Sequence, residues 1–159
     1  MPLTLITKAY AHTTLPANPL RFTGDVFTFV NNTANTITAS TIVMFDDDGI
    51  NNVNGVQPFN NSYTQSNQNC TPIGVCIQDS AATQCCFVMI GRGFTTCRNA
   101  ATDNTYVKVQ RVKCIVGGEI NSAQITVGDS YIGTAMESKV AGAGEGVLIW
   151  VNPGFNYFT

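Results

Sequence analysis

Charged side chains are scarce in this sequence: 8 Lys or Arg and 10 Asp or Glu stand among 159 residues, 11% of the chain, where an ordinary soluble domain carries about a quarter. A formal net charge of −2 provides no field to hold a polyanion, and nucleic-acid-binding domains are as a rule basic, so nucleic acid is not expected as a direct partner. Histidine is nearly absent. The single imidazole, His12, sits in a Pro-containing N-terminal stretch and is poorly placed to serve as the base that an activated Cys or Ser requires. Long apolar runs are lacking too. The longest, Val147–Val151, is far below the ~20 residues with which a helix crosses a bilayer, and no membrane association is expected. The first twenty residues hold Lys8, His12 and three prolines with no apolar stretch of signal-peptide type, so a chain starting natively at Met1 is expected to be made in a cytosol. No G-x-S-x-G elbow, P-loop or H-E-x-x-H is present, and no carboxylate pair stands out as a glycosidase couple. The expectation is a non-enzymatic protein with no cofactor.

Asn, Thr, Ser and Gln take the place of charge on the surface, as in Asn51-Asn52-Val53-Asn54 and Thr64-Gln65-Ser66-Asn67-Gln68-Asn69. Such neutral polar surfaces suit proteins that sit in assemblies or outside cells. The apolar pattern is that of strands, because the β-branched and aromatic runs are short and bounded by Gly, Asn, Asp and Pro. The pattern predicts strands at Leu3–Thr7, Val26–Val30, Ile37–Phe45, Phe87–Ile90, Tyr106–Val116, Ala123–Val127, Tyr131–Glu137 and Gly146–Val151, and no helix. The length fits one domain. The expected organisation is an N-terminal arm over residues 1–20 and an all-β domain over 21–159, a β-sandwich or small β-barrel. An irregular Cys/Asn-rich region covers 49–100, and a long loop is expected from Gly49 to Thr83. Ile42–Phe45, Phe87–Ile90 and Val147–Val151 are apolar at consecutive positions, which predicts burial on both faces, between two layers or against another subunit.

Three chemistries fit the six cysteines Cys70, Cys76, Cys85, Cys86, Cys97 and Cys114. They are disulfides pinning the irregular region, buried thiols, or a thiolate metal site, the last disfavoured by spacings that differ from the C-x₂₋₄-C of zinc ligands. Asp46, Asp47 and Asp48, followed by Gly49 and several asparagines, offer hard oxygen ligands for calcium. Their spacing departs from the EF-hand loop, and a solvated turn explains them equally. Five of the eight basic residues, Arg92, Arg98, Lys108, Arg111 and Lys113, fall between positions 92 and 113. They make either a solvated strand face with a bulge near Arg111 or a basic patch for an acidic partner.

The C-terminal third carries a resemblance. Val127-Gly128-Asp129-Ser130-Tyr131-Ile132-Gly133-Thr134-Ala135-Met136-Glu137, then Ala141-Gly142-Ala143-Gly144-Glu145-Gly146-Val147-Leu148-Ile149-Trp150-Val151, resembles the end of tailed-phage capsid decoration proteins. In those proteins an "IG-x-A-x-E" strand is followed by a small-residue turn and a last apolar strand. The match covers about a fifth of the chain; the six cysteines and the Asn-rich loop depart from the pattern. The resemblance implies a cement protein without catalytic residues, bound to the major capsid protein on the outside of an assembled head, often as a trimer, and hence located on the virion surface. The N-terminal arm, through Leu3 and Leu5, is the candidate for adding a strand to a neighbour's sheet. Two other classes share the composition: another virion component such as a head fibre or tail protein, and a calcium-dependent, lectin-like binding module using Asp46 to Asp48.

Overall fold

The computed structural model describes residues 24–46, 54–60, 71–101 and 104–156, and among these there are twelve strands and no helix. The strands are β1 (Asp25–Asn31), β2 (Ile42–Phe45), β3 (Gly55–Pro58), β4 (Gly74–Cys76), β5 (Cys85–Gly91), β6 (Phe94–Arg98), β7 (Asn104–Tyr106), β8 (Arg111–Ile115), β9 (Glu119–Asn121), β10 (Ser130–Ala135), β11 (Lys139–Ala141) and β12 (Gly146–Phe155). The first five close a barrel in the order β1-β3-β2-β4-β5. Only β1 and β3 run parallel in it; the other neighbours are antiparallel. Closure removes the unpaired edges that a small sheet otherwise exposes. A second sheet follows in the order β6-β12-β10-β8-β9, and β7 and β11 pair as a two-stranded ribbon. This second sheet curls until its edge strands meet through a single bridge, Asn99 to Ile120.

The barrel and the curled sheet share one core, which explains the two-sided apolar runs. In β2, Ile42, Val43 and Met44 are all fully buried. Val43 points into the barrel with Phe29, Val56, Cys76, Cys86 and Val88. Ile42 and Met44 point outward to meet Val147, Ile149, Val151, Ile132 and Val112 of the second sheet. Each such side chain taken from water is worth about 2–3 kcal/mol. In β5 the same division separates Val88 from Met89. The run in β12 behaves differently: Val147, Ile149 and Val151 are buried, whereas Leu148 and Trp150 are only half-buried on the outward face.

Several elements differ from the sequence expectation. The run Ile37–Phe45 is a strand only from Ile42. Ile37 makes an isolated bridge to Ser80, and Ser40, at φ 70, turns the chain between them. Tyr106–Val116 is two strands, not one with a bulge. A turn closed by the Gln110 amide on the Val107 carbonyl separates β7 from β8, with Val109 at φ 67, a conformation costly for a β-branched side chain. Ala123–Val127 is not a strand; the Thr126 amide and hydroxyl instead donate to Asp129 Oδ2, both at 2.8 Å. The expected long loop from Gly49 to Thr83 contains β3 and β4, two of the five barrel strands. These have four and three residues, too few to show an alternation in sequence. Gly74 lets β4 lie against β5, since a Cβ there would meet the Met89 carbonyl oxygen at 2.2 Å. The arm over 1–20, with Leu3, Leu5, His12 and the expected strand Leu3–Thr7, lies outside the described residues.

Candidate functional site

The outward face of the second sheet carries side chains suited to recognition. Register fixes a row across four strands: Phe94 of β6 pairs Trp150 of β12, Trp150 pairs Thr134 of β10, and Thr134 pairs Arg111 of β8. Their inward neighbours, Thr95, Ile149, Ala135 and Val112, are buried, so alternation turns this row to solvent. Phe94 and Trp150 meet edge to face with ring centroids 4.6 Å apart, the arrangement favoured by the ring quadrupoles. The Arg111 guanidinium lies 5.0 Å from the centroid of the Tyr131 ring, a cation–π stack. Tyr131 lies so close over Gly154 that a Cβ there would meet its hydroxyl at 2.4 Å. Aromatic rings and guanidinium groups held in fixed orientations are the side chains that dominate protein–protein hot spots.

The basic residues do not form one patch. Arg92, with φ 53 in the β5–β6 turn, lies 3.6 Å from Asp25. Arg98 is paired with Glu119 at 2.9 Å, where the edges of the curled sheet meet. Lys108 is exposed in the turn after β7, its amide donating to the Ser138 hydroxyl oxygen at 3.0 Å. Only Arg111 and Lys113 share a strand face, and Lys113 is bound to Asp129 at 2.7 Å. The expected strand face with a bulge near Arg111 fails because the turn at Val107–Gln110 separates Lys108 from Arg111. Phe94 is not among the sequence candidates, and Tyr131 and Trp150 enter there only through the resemblance, because Val147–Val151 has no polar position to mark an outward face.

Asp129 shows how tightly the outward face is tied. Burial pushes its carboxyl up, but hydrogen bonds from Lys113 and from the Thr126 amide and hydroxyl outweigh this and leave it below the usual carboxylate range. Stability from a lowered carboxylate is present above the unfolded value near ~3.9 and is lost as pH falls through the folded one. With side chains 23% and 17% exposed, the pair is worth roughly 1 kcal/mol. Lys113→Met is expected to be less stable than the wild type at neutral pH and to converge with it in acid. Urea midpoints measured from about pH 7 to pH 2 check this, and parallel curves would show that the pair contributes nothing.

The other candidate groups are placed as follows. Asp46 accepts a hydrogen bond from the Asn32 side chain, while Asp47 and Asp48 lie outside the described residues. Among the described residues no group of three or more His, Cys, Asp or Glu side chains is arranged to hold a metal ion. Cys76, Cys86, Cys97 and Cys114 are buried free thiols and Cys85 is an exposed one; Cys70 lies outside the described residues. Burial raises Cys97 and Cys114 above the usual thiol range, which keeps both protonated and unreactive. Asn31, which opens the N-x-[ST] sequon Asn31-Asn32-Thr33, is buried and donates to the carbonyls of Asn35 and Ser80, each at 2.8 Å, so it is no glycan acceptor in the folded chain.

No protein-family model and no curated protein matches this chain.

Proposed function

We propose that this protein is a virion structural protein that binds and stabilises the outside of a phage capsid, as a decoration or cement protein. Its partner in this reading is the major capsid protein, its assembly a trimer, and its location the capsid surface after synthesis in the host cytoplasm. The observation that supports the reading is where the capsid-decoration resemblance falls. Residues 127–151 include β10 and the start of β12, which pair antiparallel from Ala135–Ile149 to Ser130–Phe155 and present Tyr131 and Trp150 on the outward face. An aromatic sheet face on which Arg111 stacks on Tyr131 and Lys113 is paired with Asp129 fits a lasting protein contact better than a diffusing small substrate.

The chain has one tryptophan, so its fluorescence reports on Trp150 alone. Mixed with expanded phage heads and sedimented, the protein is expected to pellet at saturable stoichiometry, with a blue shift of the emission as Trp150 loses water. Trp150→Ala combined with Phe94→Ala is expected to weaken head binding by about tenfold or more while the protein stays folded. Protein that remains in the supernatant at every ratio sinks the proposal, and pelleting with tails but not heads assigns it to another virion component.

A further inference from the structure

Two sulfurs face each other inside the barrel. Cys76 ends β4 and Cys86 lies near the start of β5; both are fully buried, and their Sγ atoms are 3.2 Å apart. The strands run antiparallel with Cys76 opposite Val88, so Cys86 is its diagonal neighbour on the same face, and both sulfurs belong to the barrel interior with Phe29, Ile37 and Val43. A disulfide bond needs the sulfurs to close by only about 1 Å more. Cys85, next in sequence, is exposed and so lies on the opposite side of β5, while Cys97 and Cys114 are in the core shared with the second sheet.

We propose that Cys76 and Cys86 form a redox site, at which a peroxide converts the two thiols into a disulfide that staples β4 to β5. The Cys76 thiolate attacks one oxygen of hydrogen peroxide. The O–O bond breaks, Cys76 becomes a sulfenic acid, and the departing hydroxide takes the proton that the thiol had lost and leaves as water. The Cys86 sulfur then attacks the sulfenic sulfur. The S–S bond forms as the S–O bond breaks, and the hydroxide departs with the Cys86 proton as a second water. Two thiols give up two electrons and one peroxide becomes two waters. The contact between the two sulfurs, in which either thiol can be the donor, holds Cys76 below the usual thiol range and pushes Cys86 above it, which makes Cys76 the attacking sulfur and Cys86 the resolving one. Burial admits a small oxidant more readily than a bulky disulfide such as oxidised glutathione.

This site stands independently of any capsid role. The test treats the folded Cys70→Ser/Cys85→Ser chain, and in parallel the wild type, with hydrogen peroxide, then alkylates and digests it with trypsin and a protease that cuts before Asp. Cys76 then falls on the peptide Asp48–Gln78 and Cys86 on Asp79–Arg92. The expected result is these two peptides joined, two hydrogens lighter than their sum, with Tm raised by about 5 °C in the oxidised protein and restored by dithiothreitol. Recovery of Cys76 and Cys86 on separate peptides from protein that is still folded would overturn the assignment.

Discussion

Gly133→Ala is expected to remove most of the stability of the fold, on the order of 4 kcal/mol or more where whole domains have about 5–15. Gly133 sits at an irregularity of the central strand pair. On one side β10 runs from Tyr131 opposite Gly154 to Gly133 opposite Val151, so two residues of β12, Asn152 and Pro153, face Ile132 alone. On the other side the register against β8 shifts at the same place. The extra residue folds the Trp150 carbonyl over Gly133, where a Cβ would meet that oxygen at 2.0 Å and the Asn152 nitrogen at 3.0 Å, with φ at 157. Both obstacles are backbone, so no rotamer change relieves them. Gly128 and Gly144 are the controls. They have φ 87 and 77, and nothing within 4 Å of an added Cβ, so alanine there costs only the left-handed conformation, about 1 kcal/mol. Urea denaturation of the three variants separates strain from collision. A Gly133→Ala midpoint no lower than those of the two controls would show that β10 and β12 can separate without harm.

The same bulge shows which part of the fold was legible in the sequence. The small residues of Ile132-Gly133-Thr134-Ala135 mark a strand with one crowded face, and the apolar run after the Ala/Gly segment marks its partner; the two do pair antiparallel. The sequence does not disclose why Gly133 must be small, because the cause is a carbonyl seventeen positions away. Nor does it disclose that the connection holds β11, whose Lys139–Ala141 pairs with β7 before Gly142–Glu145 turns the chain. The all-β class was legible because period-2 alternation and turn residues act locally. Closure of the barrel was not. It depends on Gly55-Val56-Gln57-Pro58 and Gly74-Val75-Cys76, which have little room for a pattern and gain their burial only from strands distant in sequence. The outward row of Phe94, Trp150, Thr134 and Arg111 was hidden for the same reason, being set by register across four strands. The cluster of cations between 92 and 113 was visible as composition, yet the turn at Val107–Gln110 and the ion pairs of Arg98 and Lys113 disperse it.

Asn99→Ala is expected to cost about 3 kcal/mol and Asn99→Asp more still, on the order of 5 kcal/mol at neutral pH. Asn99 follows β6 and is fully buried. Its Nδ2 donates to the carbonyls of Ala101, Ala141 and Gly142, the last two at 2.9 Å. Its Oδ1 accepts from the Tyr106 hydroxyl and from Asn104 Nδ2, both at 2.7 Å. Its backbone amide donates to Glu145 and its carbonyl accepts from Gly144. One side chain thus joins the end of β6, the β7–β11 ribbon and the turn before β12. Burial, and after it Cys97, raises the Tyr106 phenol, so that it remains a donor at any pH the fold survives. Alanine leaves these carbonyls and a buried hydroxyl without their partner, and each such loss costs about 1–3 kcal/mol unless water enters. Aspartate is worse because it aims an acceptor at three carbonyl oxygens. Protonation relieves part of that repulsion, so the new carboxyl is held above its unfolded value of ~3.9. A raised carboxyl binds more protons folded than unfolded. Asn99→Asp is therefore expected to lose stability relative to the wild type as pH rises from the unfolded value through the folded one, whereas the Asn99→Ala deficit has no such rise. Denaturation midpoints for the three proteins from about pH 3 to pH 8 measure both effects. An aspartate variant whose deficit is small and constant with pH would mean that water replaces the amide, and that the ribbon is held by its strand pairing alone.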